Sequence, residues 1–319
     1  MFTQIFFMSL IAIAVGVYLL IKGGDWLMKA SVALSLNFSI PKIVIGMTVV
    51  SFATSAPELI VSVKSALTGH PDLAIGNVVG SNIANLGLVL ALTVIISPIN
   101  VSKSFYKSDW PMMIFSSILF YFFISKDERL DEIEGLIMFS LLILFIIYII
   151  KIQKNTELED EIENEVLLSN TKILIYLFIG GFSLWLGSES LIKGAVTLAK
   201  NMGVSERVIS VSIVSIGTSI PELSASIIAI INREKAISLG NLVGSNIFNI
   251  MAVLGITSMI HPILIEDKGL LTNDIWWMLG IAILTLPLSL IPIKRKISRV
   301  GGFLLVGLYI IFIFPLFFK

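Results

Sequence analysis

Thr54-Ser55-Ala56-Pro57-Glu58 returns in this chain as Thr218-Ser219-Ile220-Pro221-Glu222. A second stretch, Gly76-Asn77-Val78-Val79-Gly80-Ser81-Asn82-Ile83-Ala84-Asn85, returns as Gly240-Asn241-Leu242-Val243-Gly244-Ser245-Asn246-Ile247-Phe248-Asn249. Both recurrences have an offset of 164 residues. The repeated residues are polar, yet they stand in stretches apolar enough to cross a bilayer. Paired polar sites at membrane depth are the first implication.

Composition supports that setting. The chain is 56% hydrophobic and 14% charged, with a mean hydropathy of +0.97; a soluble domain usually carries about 25% charged residues. Apolar stretches of roughly 18 or more residues recur along the chain, as in polytopic helical membrane proteins. The segments of about ten residues with alternating polarity that mark a transmembrane β-barrel do not occur. There are no cysteines, which excludes disulfides, thiolate metal sites and cysteine nucleophiles. A net charge of zero gives no sign of nucleic-acid binding. Residues 1–21 lack a basic start and continue as one helical pattern to about Leu36, so they read as a transmembrane helix rather than a cleaved signal.

Ten hydrophobic segments are expected, near 4–34, 42–66, 72–97, 108–125, 133–151, 172–199, 206–231, 236–260, 273–293 and 299–317. Between the fifth and sixth lies an acidic stretch, Gln153 to Asn170, read as a solvated linker because it has no calcium-loop signature. Gly23, Asp25, Leu27, Lys29, Leu34 and Asn37 also match Gly187, Glu189, Leu191, Lys193, Leu198 and Asn201 at the same offset. The expected fold is therefore an all-α polytopic membrane protein, with residues 1–152 and 171–319 as two five-helix repeats joined by 153–170. Five is odd, so the second repeat enters the membrane inverted, as in many secondary transporters. One set of alternate loops is richer in Lys and Arg, including Lys103, Lys107, Lys151, Arg233, Lys235, Lys294, Arg295 and Arg299. By the positive-inside rule that set is cytoplasmic, which puts the linker inside and both termini outside the cell membrane.

Glu58 and Glu222 carry the chemistry. A carboxylate at bilayer depth costs about 2.5 kcal/mol or more unless it is paired or hydrated. No Lys or Arg stands at matching depth in the motif helices, so a mobile cation or a proton is the natural partner. Pro57 and Pro221 lack an N–H, and each ring clashes with the carbonyl four residues back, those of Ala53 and Gly217. Freed carbonyls, with the hydroxyls of Thr54, Ser55, Thr218 and Ser219, become oxygen donors in irregular backbone that lines a cavity.

In the second motif Gly76 and Gly80, like Gly240 and Gly244, allow close helix approach. Ser81 and Asn85 are four apart and share a helical face, as do Ser245 and Asn249. Asn82 and Asn246 lie on another face, where hydrogen bonding between helices is the competing role. Oxygen-only donors suit hard cations such as Ca²⁺ and Na⁺ over Zn²⁺ or Cu⁺. His70 and His261, next to prolines at helix ends, read as loop residues. Trp110, Trp276 and Trp277 read as interfacial anchors, and Asp25 and Glu189 as structural or entrance charges.

These residues resemble the two α-repeats of the sodium/calcium exchanger family, within the cation/calcium antiporter superfamily. The resemblance covers nearly the whole chain and is sharpest over 46–62 with 76–87 and 210–226 with 240–251. It implies a Ca²⁺ site of Glu58, Glu222, Thr54 and Thr218. It implies flanking Na⁺ sites using Ser55, Ser81, Ser219, Ser245 and the carbonyls of Ser51 and Ser215, with Asn85 and Asn249 lining the centre. Ala53 stands where the family often has Gly, and Ser51 and Ser215 where Ala is common; an added hydroxyl there could alter selectivity. Asn249 replaces an Asp associated with potassium dependence in one branch, which leans against K⁺ cotransport. The function implied is secondary antiport of Ca²⁺ against Na⁺ by alternating access. It needs the lipid bilayer but no cofactor, no covalent catalysis and no obligatory protein partner. A Ca²⁺/H⁺ exchanger using the same glutamates is the alternative, and a cation channel a further one. No metalloprotease, nucleophile-elbow or P-loop motif suggests an enzyme.

Overall fold

The computed structural model describes residues 2–153, 168–202 and 217–317. Among the described residues the regular structure is helical apart from four two-residue strands. The helices are α1 (Phe2–Phe38), α2 (Lys42–Leu67), α3 (Pro71–Ile96), α4 (Phe105–Asp127), α5 (Glu132–Gln153), α6 (Asn170–Asn201), α7 (Ile220–Ile231), α8 (Lys235–Ile260), α9 (Leu270–Leu288) and α10 (Arg299–Ile313). Among the described residues, eight are long and apolar enough to cross a membrane, while α7 and α10 are shorter. The chain is a multi-pass helical membrane protein. Of the expected segment 206–231, only the part from Gly217 lies within the described residues, as do only the ends of the acidic stretch.

Local chemistry sets the boundaries. Gly69, with φ at 78°, takes the left-handed turn after α2 that other residues resist. Pro71 opens α3 in its first turn, where a missing N–H costs nothing. Ser169 and Ser298 cap α6 and α10, accepting from Lys172 N and Gly301 N at 3.4 Å each. Trp110 donates from Nε1 to the Ala282 carbonyl at 3.1 Å, tying α4 to α9.

Two antiparallel strand pairs tie distant loops. β1 (Ile99–Asn100) pairs with β4 (Lys296–Ile297), and β2 (Arg129–Leu130) with β3 (Ile263–Leu264). The strands are too short to register as sequence patterns. They hold because Ile99, Ile297, Leu130 and Ile263 are fully buried.

The long helices α1 and α6 lie antiparallel along a seam of small residues. Ser9 meets Gly194, Gly16 meets Gly187, and Gly23 meets Gly180. The spacing is seven residues on both helices, the repeat that keeps one stripe facing a partner. A Cβ on Gly23 would lie 2.9 Å from the Gly180 carbonyl oxygen, so only glycine permits this approach. Beside the pair, α2, α3, α7 and α8 pack together, and α4, α5, α9 and α10 flank them.

Five of these helices widen. α2 carries a π-type turn over Gly46–Val50, α3 over Asn85–Leu90 and α8 over Asn249–Leu254, while α4 and α9 open with one over Phe105–Asp109 and Leu270–Asp274. Such single wide turns occur often at functional sites. Two of them begin at the asparagines singled out from the sequence.

Candidate functional site

α2 and α7 bring the two glutamates to the centre of the four-helix group. Glu58 and Glu222 are both 0% exposed. Among the described residues neither has a hydrogen-bond partner on either oxygen. Around them the hydroxyls of Ser55 and Ser219 and the amides of Asn85 and Asn249 are buried, and each keeps at least one unpartnered polar atom. These six residues account for nine of the thirteen buried, partnerless side-chain polar atoms among the described residues. Native interiors satisfy nearly all such groups, because each orphan costs about 1–3 kcal/mol. A concentration of orphan oxygens in one place is therefore a cradle for something that accepts electron pairs. Among the described residues no cluster of three or more His, Asp or Glu forms. The two carboxylates thus rely on neutral oxygens around them, a hard-cation donor set.

The threonines cross between the two halves of the chain. Thr54 Oγ1 lies 3.3 Å from Ser245 Oγ, and Thr218 Oγ1 lies 3.2 Å from Ser81 Oγ. These two contacts interchange under the 164-residue offset. The Ser51 hydroxyl bonds Gly46 O at 2.9 Å and Asn241 O at 3.0 Å, because the close approach of α8 brings that backbone within reach. Ser215 lies outside the described residues.

The freed carbonyls also divide. The expected break at Pro57 is absent, since α2 continues through it. Burial of Ser51, Thr54, Ser55, Glu58 and Ser62 on that helix fixes it from several sides, and one missing backbone bond does not undo that. At Pro221 the helix begins instead, with the proline in the first turn of α7. The Gly217 carbonyl accepts from Ser188 Oγ of α6 at 3.0 Å, which uses one of its two lone pairs.

Glycine contacts follow the motif in one half. A Cβ on Gly244 would lie 2.6 Å from Met47 Cα, and one on Gly46 would lie 3.0 Å from Asn241 N, so α2 and α8 touch backbone to backbone. For Gly80 no described atom stands within 4 Å of that position, and for Gly76 only Leu270 Cδ2 does, at 4.0 Å.

The sequence reading missed a supporting layer. Asn77 Nδ2 donates to Ser62 Oγ at 3.1 Å and to the Glu58 carbonyl at 3.4 Å. Asn241 Nδ2 donates to Ser226 Oγ at 3.4 Å, while its Oδ1 accepts from Thr54 at 3.2 Å. The signal was available, since Ser62 and Asn77 recur as Ser226 and Asn241 at the common offset. Asn82 bridges helices, donating to Asn246 O and accepting from Asn249 Nδ2, both at 3.1 Å. The outlying candidates stay peripheral. His70 and His261 are exposed at helix ends. Asp25 pairs with Lys29 at 2.8 Å and Glu189 with Lys193 at 3.2 Å. Asp25 and Lys29 also line a cavity of about 370 Å³ between α1, α6 and the α7–α8 turn.

A family model described as sodium/calcium exchanger protein matches residues 8–151 and 172–318. The putative antiporter CaxA of Alkalimonas amylolytica is 35% identical over 307 residues, covering 94% of this chain and 96% of that protein. The sodium/calcium exchanger MaX1 of Methanosarcina acetivorans is 26% identical over 97% of this chain and 99% of its own length. A solved structure of the sodium-calcium exchanger NCX_Mj superposes with a TM-score of 0.82 at 29% identity, covering 97% of this chain and 99% of that one. With the match spanning both motif-bearing halves, the chain belongs to the sodium/calcium exchanger family.

Proposed function

We propose that the protein is a secondary antiporter that exchanges Ca²⁺ for Na⁺ by alternating access. The observation that carries this reading is the cluster of partnerless buried oxygens on Glu58, Glu222, Ser55, Ser219, Asn85 and Asn249. Two carboxylates balance one divalent ion. With neutral hydroxyls and amides beside them they hold monovalent ions instead, so the two cargoes compete for overlapping oxygens. In this reading Glu58, Glu222 and the carbonyls of Thr54 and Thr218 hold Ca²⁺. Ser55, Ser81, Ser219 and Ser245, with the carbonyls of Ser51 and Ser215, serve Na⁺, and Asn85 and Asn249 line the centre. No bond in the cargo is made or broken. The names of MaX1 and NCX_Mj as sodium/calcium exchangers favour Na⁺ as the driving ion.

The architecture in this reading is ten membrane helices in two inverted five-helix halves, with the acidic stretch 153–170 as a cytoplasmic linker between them. Two details support it. The α1–α6 contacts exchange with one another under the 164-residue offset: Gly16 with Gly187 becomes Gly180 with Gly23. The strand pairs echo this in topology: β1 maps onto β3 at the same offset, while β4 lies three residues beyond the position equivalent to β2, so pair β1–β4 answers pair β3–β2. Ten crossings with outside termini put the β1 and β4 loops at the cytoplasmic face and the β2 and β3 loops at the outer face. A two-fold axis in the membrane plane interchanges those faces and those pairs.

The test is Ca²⁺ uptake into proteoliposomes loaded with Na⁺, with pH clamped. Uptake that rises with the outward Na⁺ gradient is expected. Uptake indifferent to Na⁺ but driven by an outward proton gradient assigns Ca²⁺/H⁺ exchange to the same glutamates. Ca²⁺ flux that needs no exchange ion assigns a channel.

A further inference from the structure

The two supporting asparagines occupy equivalent positions but hold different partners. Asn241 reaches across to the other half, where its Oδ1 accepts from Thr54. Asn77 stays within its own half, on Ser62 and the Glu58 carbonyl, and makes no hydrogen bond to Thr218, the equivalent of Thr54. The surroundings differ in the same sense. Thr54, Asn241, Gly244 and Ser245 are buried; of their equivalents Ser81 is buried too, whereas Thr218, Asn77 and Gly80 are partly exposed. Both sides of the glutamate pair thus carry a threonine–serine contact between halves, but only one side adds an asparagine bond between halves.

Two inverted copies of one sequence that alternate access do so by exchanging their conformations. From this asymmetry, and resting on the antiport reading above, we propose that Asn77 and Asn241 are positioning residues that trade partners as the site changes face. In the state described here Asn241 holds Thr54 and closes the side on which α8 begins. In the opposite-facing state Asn77 crosses to the Thr218 hydroxyl and closes the side on which α3 begins, and Asn241 returns to its own half, onto the Glu222 carbonyl. Each amide orients a threonine whose neighbouring carboxylate meets the ion. Each bond exists in one state only, so each weights the balance between states as well as shaping the site.

A bond present in one state sets the fraction of protein competent to bind from one face, and apparent affinity scales with that fraction. Asn241→Ala removes a bond of the state open towards Asn77, on the outer side in the proposed orientation. It raises the KM for Ca²⁺ at the outer face, by roughly three- to tenfold for one buried hydrogen bond, and leaves the inner-face KM within about twofold. Asn77→Ala does the reverse.

The experiment measures Na⁺-driven Ca²⁺ flux on right-side-out and inverted membrane vesicles. It uses the unaltered protein, both single variants, Thr54→Val, and Thr54→Val combined with Asn241→Ala. Thr54→Val deletes the donor while keeping the Asn241 amide in place, so the question stays open to test even if Asn241→Ala fails to fold. The outer-face shift is expected to recur in Thr54→Val, and the double variant to fall short of the product of the singles, as coupled groups do. KM shifts of equal size at both faces, or none at either, overturn the exchange of partners. Absence of Ca²⁺ flux in the unaltered protein defeats the antiport reading itself, and the inference with it.

Discussion

Pro57 and Pro221 belong to the same five-residue motif, yet α2 runs through the first and α7 starts at the second. The difference extends to the carbonyl that each proline frees. Gly217 O is held by Ser188 of α6. The residue equivalent to Ser188 on α1 is Gly24, which has no hydroxyl to offer Ala53. The two copies are thus alike in the orphan polar groups at the centre and unlike in the groups that hold those segments. Shared central chemistry with unshared supports is what a single site needs if it is to face two sides in turn.

The largest expected effect tests the shared part. Glu58→Gln and Glu222→Gln should each reduce Na⁺-dependent Ca²⁺ uptake by at least about 100-fold, since even outer-shell partners of metal ligands are worth about 10- to 100-fold in affinity. The losses should be similar despite the different backbones at Pro57 and Pro221. Robust exchange in either variant refutes the assigned role, and a large inequality between them breaks the equivalence of the two copies.

Next in size is the contrast between the fixed and the loose helix contacts. Gly244→Ala drives a methyl to 2.6 Å from Met47 Cα, and overpacking of this kind costs about 1–3 kcal/mol. Gly181→Ala on α6 would meet Ala53 Cβ at 3.5 Å, an ordinary contact. Thermal unfolding in detergent should show a clear fall in Tm for the first and little change for the second. Equal falls would mean that α6 is pressed against α2 as firmly as α8 is.

Legibility followed physics. Glu58, Glu222, Ser55, Ser219, Asn85 and Asn249 were readable because a polar residue in apolar chain stands out, and the repeat marked it twice. The helices were readable from apolar length. The two-residue strands were not, because pairing that short is decided by distant loops. The α1–α6 seam, although its sevenfold glycine spacing is in the sequence, declares its partner only in three dimensions. The partners of the Ser51 hydroxyl were not readable, because a side chain's direction depends on which helix arrives beside it, and α8 arrives with the Asn241 carbonyl. Ser188 carries the reverse lesson. Its significance lies where the repeat fails, at Gly24, and a reading that scores matches passes over mismatches.

Ser188→Ala should give the smallest effect, and it bears most directly on the mismatch. It deletes a hydroxyl that satisfies one carbonyl at the start of α7 and leaves the helical backbone of α6 undisturbed. The net loss for such a bond is about 1 kcal/mol, equivalent to about a fivefold change in the balance of two states. If the Ser188–Gly217 bond belongs only to the state described here, the change appears as a shift in Ca²⁺ KM at one membrane face. If α6 keeps the bond in both states, stability falls by that amount while the KM at both faces stays put. Flux measured from both sides, with Tm beside it, separates these outcomes. The first would make the Gly24–Ser188 mismatch a bias between facing states, and the second would make it a local repair of the proline break.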